Sequence, residues 1–217
     1  MEFTIKEIIR WGIPVIQLIT AVLAIRCWRK KKSFEWQVFI LAWVLTFLIE
    51  VTGKITGRFL HLNKHWLYNI YFIFFYCSLI TFYAGVFANQ WIKKCALTLA
   101  ATLFAWDIIY FIINGVYRLN TSFPTIGGAI VLCFAIIYLA IIFIDNKIET
   151  PLSKDPVYWF STGFILYFSH NIVLIGLLNS LLKEPTGTFR FFSFYINHAL
   201  TLVVHVFLWK GLHAARK

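Results

Sequence analysis

The stretch IGGAIVLCFAIIYLAIIFI, residues 126–144, contains no charged side chain over 19 consecutive positions. An α-helix needs roughly 20 mostly apolar residues to cross the hydrocarbon core of a bilayer. The strands of a membrane barrel would instead alternate apolar and polar side chains over about ten residues. The stretch therefore predicts a transmembrane helix.

Six further stretches of the chain have similar length and apolar character. Together with the first, the predicted spans cover residues 11–28, 35–54, 66–87, 95–114, 126–145, 157–182 and 190–209. The connections between spans are short, none of them longer than about a dozen residues, which leaves no room for a soluble catalytic or binding domain. We therefore predict an all-α polytopic membrane protein with a single seven-helix transmembrane domain over residues 1–217.

The composition of the whole chain favours a membrane protein. Hydrophobic residues make up 60% of the chain and charged residues 13%, whereas a soluble domain carries about a quarter charged residues. The net charge of +11 is concentrated in short clusters at span ends, as at residues 29–32, where basic side chains meet lipid headgroups. No stretch resembles a nucleic-acid-binding motif. We therefore expect the lipid bilayer, and not nucleic acid, as a partner.

The basic residues also predict the orientation of the chain. Lys and Arg residues lie beside the carboxyl ends of the first, third, fifth and seventh spans at twelve positions, and at the opposite ends at eight. Basic residues accumulate on the cytoplasmic side of membrane proteins. We therefore predict that the N-terminus lies outside and the C-terminus in the cytoplasm.

Polar side chains within the spans indicate where a site lies, because an ionised group at the bilayer centre costs about 2.5 kcal/mol or more. The polar residues are Glu50, Asn69, Asp107, His170, Asn171, Asn179, Asn197, His198 and His205. In the predicted orientation most of them fall in the outer half of the membrane, His170 and Asn171 near its middle, and His205 on the inner side. Exposing these polar side chains to lipid would cost free energy, so they are expected to face the interior of the bundle.

These positions predict a polar pocket that opens outward. Its predicted ligand-binding residues are Glu50, Asn69, Tyr76, Asp107, His170, Asn171, Asn197 and His198, with Tyr76 part of an aromatic cluster on the third span. Two alternatives stay open: the polar groups only join helices by hydrogen bonds, and Glu50 pairs with Lys54 one turn on.

A metal site would need side chains from several helices. His198 and His205 are separated by about 10.5 Å of helix axis, whereas metal ligands lie about 2 Å from the ion. One ion cannot bridge the two histidines without His170 or a carboxylate from another span. We therefore assign no catalytic residue, metal ligand or cofactor.

Three runs of sequence carry a resemblance to known proteins: LIEVTG at 48–53, LYNIYFIFFY at 67–76 and YFSHN at 167–171. They resemble a group of uncharacterised bacterial seven-helix inner-membrane proteins. The number of spans and the chain length resemble the opsin and sugar-transporter architecture of two three-helix bundles joined by the fourth helix. The resemblance implies a bacterial cytoplasmic membrane, and it implies no activity. Span 7 also lacks the interior lysine that a retinal Schiff base requires.

Three functions are consistent with such a pocket. The first is a receptor or sensor that binds a small ligand or a proton; because the chain has no output domain, it would need a separate cytoplasmic signalling partner or a second copy of itself. The second is a small-molecule transporter, with Glu50 or Asp107 carrying a coupled proton. The third is an intramembrane metal-dependent hydrolase that uses His170, His198 and a carboxylate. We rank them in that order, and an accessory subunit with purely structural polar residues is a further alternative.

Overall fold

Seven α-helices run through the part of the chain that the structure describes. The computed structural model describes residues 5–58, 63–144, 151–181 and 187–216, with all their side chains except those of residues 5–10, 58, 174–181 and 187–194. The helices are α1 (Ile5–Trp28), α2 (Phe34–Arg58), α3 (His65–Val86), α4 (Gln90–Asn114), α5 (Ser122–Ile144), α6 (Pro156–Leu181) and α7 (Gly187–Arg216), and a 3₁₀ turn (Leu152–Lys154) precedes α6.

Five of the helices are long and apolar enough to cross a membrane. These candidate spans are Trp11–Trp28, Phe34–Gly57, His65–Val86, Gln90–Asn114 and Ser122–Ile144. The predicted all-α class is therefore confirmed, and so is the coarser prediction of an integral membrane protein. Each of the seven predicted stretches falls on a helix, although the predicted ends at residues 145 and 182 lie outside the described residues.

Three helices extend at one end by at least five residues beyond the predicted spans, because hydropathy detects only their apolar part. The helix α4 begins at Gln90, where the side chain of Asn89 accepts a hydrogen bond from the Trp91 amide at 2.8 Å and so caps a polar first turn. At the other end of the chain, α7 continues to Arg216. The helix α1 begins at Ile5, so Pro14 lies inside it and not in its first turns.

Six helices close a ring, and α4 lies outside it. Around the ring, α1 contacts α2, α2 contacts α3, α3 contacts α5, α5 contacts α6, α6 contacts α7, and α7 returns to α1. The helix α4 packs against α3 and barely touches α5. Its buried residues Ala96, Ala100, Leu103 and Asp107 form one stripe, and small residues in such a stripe allow close helix approach. Large apolar side chains such as Phe104 and Ile112 cover its exposed face.

An aromatic layer fills the ring near the end at which α1 terminates. The rings of Phe39 and Phe82 stack with centroids 4.3 Å apart, Phe160 lies 4.8 Å from Phe39, and Trp36 meets Phe82 edge-on at 5.2 Å. Phe39, Phe82 and Phe160 are fully buried. The layer joins α2, α3 and α6 across the ring.

The close packing of α7 on this layer predicts the effect of a single methyl group. A Cβ atom added at Gly211 would lie within 2.9 Å of three atoms of the Phe160 ring, whereas one added at Gly12 meets nothing within 4 Å. Overpacking of this kind costs about 1–3 kcal/mol. We expect Gly211→Ala to lower the melting temperature of the purified protein in detergent, and Gly12→Ala to leave it unchanged. Equal melting temperatures for the two variants would contradict the described packing of α7 on α6.

Candidate functional site

A cavity of about 320 Å³ lies inside the ring, at the end of the bundle where α1 begins. The helices α1, α2, α3, α6 and α7 contribute its walls. Nine of its lining residues are aromatic: Trp43, Tyr68, Tyr71, Phe72, Phe75, Tyr76, Phe164, Tyr167 and Phe168. Its other polar lining residues are Gln17, Thr46, Glu50, Asn197, His198, Thr201 and His205. A space of this size with mostly apolar walls and a few polar groups is typical of a small-molecule site.

Four of the residues predicted from the sequence line this cavity: Glu50, Tyr76, Asn197 and His198. Glu50 forms an ion pair with Lys54 one turn on, with Lys54 Nζ 3.2 Å from Glu50 Oε1, which was the alternative that the sequence left open. The carboxylate therefore keeps a nearby positive charge. The cavity extends from Glu50 to Trp43, which lies seven residues earlier on α2 and therefore about 10 Å away along the helix axis.

The deep end of the cavity is held by a hydrogen-bonded cluster between α1 and α7. Thr20 Oγ1 lies 2.7 Å from His205 Nδ1, accepts a hydrogen bond from Trp209 Nε1 at 2.7 Å, and lies 3.0 Å from the Ile16 carbonyl oxygen. A hydroxyl has a single hydrogen to donate. The Ile16 carbonyl and His205 Nδ1 both lie within reach of that hydrogen, and with either as its acceptor the cluster ties α1 to α7.

Three buried polar atoms of the cavity walls lack a hydrogen-bond partner among the described residues. They are the amide oxygens of Gln17 and Asn197 and the indole nitrogen of Trp43. Gln17 is only 8% exposed and Trp43 only 5%. Burying a polar group without a partner costs free energy, so such atoms are rare in folded proteins. Gln17, Trp43 and Asn197 all line the same cavity, although these three atoms are themselves covered by neighbouring atoms.

Hydrogen bonds also hold two of the aromatic walls in place. Tyr71 Oη lies 3.0 Å from Thr46 Oγ1, whose hydroxyl donates to the Ala42 carbonyl at 2.8 Å. The hydroxyl of Tyr167 is hydrogen-bonded to the side chains of Asn171 and Thr201. Asn171, which the sequence placed in the site, therefore contacts the cavity through Tyr167 and is not itself a lining residue.

Asn69 and Asp107 lie in a different cluster, around the connection between α4 and α5. Asn69 Nδ2 donates to the carbonyls of Val116 and Arg118, both at 2.9 Å, and Asn69 Oδ1 accepts from the Asn120 amide at 3.1 Å. Asn120 Nδ2 in turn donates to Asp107 Oδ1 at 2.6 Å. These bonds satisfy backbone groups of the irregular connection. Neither Asn69 nor Asp107 lines the cavity.

The remaining predicted polar residues are placed as follows. His170 does not line the cavity, and its Nε2 atom is buried without a partner among the described residues. The side chain of Asn179 lies outside the described residues. In the described part of the chain, no group of three or more His, Cys, Asp and Glu side chains is arranged to hold a metal ion.

Sequence reasoning omitted several cavity residues, above all Gln17 and His205. His205 shares a helix face with His198 and Thr201, and this shared face was the available signal that it belongs to the site. Its predicted depth on the inner side of the membrane separated it from the other polar groups. Gln17 is the only amide side chain in the first predicted span, and that isolated position in an apolar span was the available signal.

Known proteins offer no guide to the chain: no family model, no curated protein and no solved structure matches it.

The cluster around Asn69 predicts a local structural effect. We expect Asn69→Ala to accelerate amide hydrogen exchange in residues 116–120, with the largest change at the Asn120 amide, because that N–H loses its acceptor. The control is Thr102→Val on α4, whose hydroxyl donates to the Thr98 carbonyl of its own helix at 2.9 Å and which should leave residues 116–120 unchanged. Unaltered exchange in Asn69→Ala would show that this side chain does not hold the connection.

Proposed function

We propose that this chain is a membrane receptor or sensor that binds a small ligand inside the ring of helices. The observation that carries the proposal is that Gln17, Trp43 and Asn197, each with a buried polar atom that lacks a partner among the described residues, line one cavity. Polar atoms without partners are costly in a membrane interior, so a stable bundle that keeps three of them around one space is best explained by a ligand that pairs with them.

The lining indicates the chemistry of that ligand. Aromatic side chains supply most of the walls, and flat apolar molecules pack well against such rings. The amide oxygens of Gln17 and Asn197 require a donor. In the described part of the chain no Lys or Arg lines the cavity, and Glu50 is its acidic residue. We therefore propose an uncharged or cationic aromatic molecule with a hydrogen-bond donor, and not a carboxylate or a phosphate.

The floor of the cavity favours a receptor over a transporter. Transport through the ring would require Thr20 to separate from His205 and Trp209, and would then require the aromatic layer around Phe39 and Phe160 to open. A ligand that only shifts the packing of α1 against α7 needs neither change. Such a shift follows whenever the ligand binds two arrangements of the helices with different affinity. A separate cytoplasmic protein or a second copy of the chain would bind the two helix arrangements with different affinity and so transmit the change.

We further propose seven spans, with the N-terminus outside and the C-terminus in the cytoplasm of a bacterial inner membrane. The distribution of basic residues over the whole sequence supports this orientation, with twelve Lys and Arg positions beside the carboxyl ends of the first, third, fifth and seventh spans and eight at the opposite ends. The cavity then opens on the extracytoplasmic side.

Ligand binding is tested directly. Small aromatic amines and alcohols, with matched aromatic carboxylates, are screened for an increase in the melting temperature of the purified protein, and hits are measured by calorimetry. We expect amines or alcohols to bind and the carboxylates not to bind. Loss of one hydrogen bond in Gln17→Leu or Asn197→Leu should weaken binding about tenfold.

The control for this test is Thr162→Val, at the other end of the ring, whose hydroxyl donates to the Tyr158 carbonyl at 2.8 Å. It should bind the ligand as the wild type does. The receptor proposal fails if no probe stabilises the protein, or if the two leucine variants bind as tightly as the control. Flux of a bound probe across proteoliposomes, abolished in Glu50→Gln, would establish the transporter instead.

The proposed orientation has its own test. In a chain whose four native cysteines are replaced, Asn63→Cys should react with a membrane-impermeant maleimide added to intact cells, and Lys32→Cys should react only after the cells are opened. Green fluorescent protein fused after residue 217 should fluoresce, and alkaline phosphatase fused there should be inactive, because both outcomes require a cytoplasmic C-terminus. Active phosphatase at that position would exclude seven spans with an outside N-terminus.

A further inference from the structure

A second cavity lies at the opposite end of the bundle from the ligand cavity. It is a cleft of about 600 Å³ between the carboxyl-terminal turns of α1 and α7, lined by Ile25, Arg26, Arg29, Lys30, His213 and Arg216. We call it the α1–α7 cleft. Four of its six lining residues are Lys or Arg, one is His, and none is acidic.

The two walls of the cleft are joined below it. Cys27 Sγ, which is fully buried, donates to the Leu212 carbonyl at 3.3 Å, and Lys30 Nζ donates to the carbonyl of Arg216. Arg26 lies in the last turn of α1, Arg29 and Lys30 follow in the turn directly after it, and positions 213 and 216 share one face of α7. The basic side chains therefore face a common space because the fold brings these two helix ends together.

The arginines of the cleft carry charges that no described carboxylate pairs with: among the described residues, neither Arg26, Arg29 nor Arg216 meets an acidic side chain. Other basic residues at this end are held by aromatic rings instead: Lys31 lies 5.3 Å from the Trp36 ring centre and Lys210 lies 4.5 Å from that of Trp159. Like charges gathered in one cleft repel each other, and an anion bound between them removes that cost.

An apolar stripe leads along α1 to the cleft. Leu18, Val22 and Ile25 are 44%, 41% and 53% exposed and follow one another at spacings of four and three residues, so they share one outward face of a helix that is apolar enough to cross a membrane. An acyl chain can lie along this stripe while its headgroup occupies the cleft. A soluble phosphate would leave the stripe without a role.

We propose that the α1–α7 cleft binds the phosphate headgroup of an anionic phospholipid, with Arg26, Arg29 and Arg216 as its charged contacts and the Leu18–Ile25 face of α1 as the surface for one acyl chain. Arginine suits this role because its planar guanidinium donates two parallel hydrogen bonds to phosphate oxygens. Basic pockets between helices at the cytoplasmic side of a membrane recognise anionic lipids in this way. The site is separate from the ligand cavity and does not depend on the function proposed for it.

Native mass spectrometry of the purified full-length chain tests the proposal. Protein in detergent is titrated with phosphatidylglycerol and, separately, with zwitterionic phosphatidylcholine. We expect the wild type to retain one phosphatidylglycerol and to release phosphatidylcholine. Arg26→Gln/Arg29→Gln/Arg216→Gln should weaken retention of phosphatidylglycerol by more than about tenfold, since each basic residue contributes to the attraction of an anionic headgroup.

The control variant Lys32→Gln/Lys93→Gln/Lys94→Gln removes three charges from the same end of the bundle but outside the cleft. It should retain phosphatidylglycerol within about twofold of the wild type, which is close to no change in binding free energy. Equal loss in both variants would reduce the effect to general surface attraction and overturn the site, as would undiminished retention in the cleft variant.

Two further measurements distinguish a lipid from a soluble phosphate and test the role of charge in the cleft. Glycerophosphoglycerol, which has the same phosphodiester headgroup but no acyl chain, should neither bind nor displace the lipid; displacement at equal concentration would make the ligand a soluble phosphate and overturn the lipid assignment. Arg26→Lys/Arg29→Lys/Arg216→Lys keeps the charge and should retain more phosphatidylglycerol than the glutamine variant. If it retains no more, then charge in the cleft does not determine binding and the proposal fails.

Discussion

The bilayer interior offers polar groups no hydrogen bonds, and this constraint shapes every part of the structure. Backbone groups satisfy it by forming helices. A polar side chain satisfies it only by finding a partner inside the protein, a ligand or a headgroup. Where a partner exists the side chain is structural, as with Asn69, whose amide makes three hydrogen bonds to the α4–α5 connection. Where none exists, as at the Gln17 amide oxygen, the group is free to recognise something else.

This constraint divides the polar residues of the spans into two sets with different roles. Asp107 and Asn69 pair through Asn120 and fix the chain between α4 and α5. Asn197 and Gln17 face a common cavity, and their amide oxygens have no partner among the described residues. Residue type does not distinguish the sets, since asparagine occurs in both. The distinction comes from the position of each helix relative to the ring.

The helices themselves were predictable from the sequence, because twenty apolar residues in a row leave few alternatives to a membrane helix. The division of the polar residues was not. Asp107 appeared equivalent to Glu50 in depth, but α4 lies outside the ring and cannot bring Asp107 to the cavity. The partners of Asn69 come from residues 116–120, which belong to no span, so helix-face reasoning did not include them. His205 was left out of the predicted site because the cavity extends two helical turns below Glu50, a depth that no local pattern encodes.

The seam between α1 and α7 connects the two cavities. Along α1 it begins at Gln17 in the wall of the ligand cavity, continues through Thr20 at its floor and Cys27, and ends at the basic residues of the α1–α7 cleft. A helix is stiff over this length, so a change in its spacing from α7 at Thr20 cannot stay local. The Cys27–Leu212 contact lies along this seam between Thr20 and the cleft, so a ligand that moved His205 relative to Thr20 would act on the same pair of helices that forms the cleft at the opposite end of the bundle.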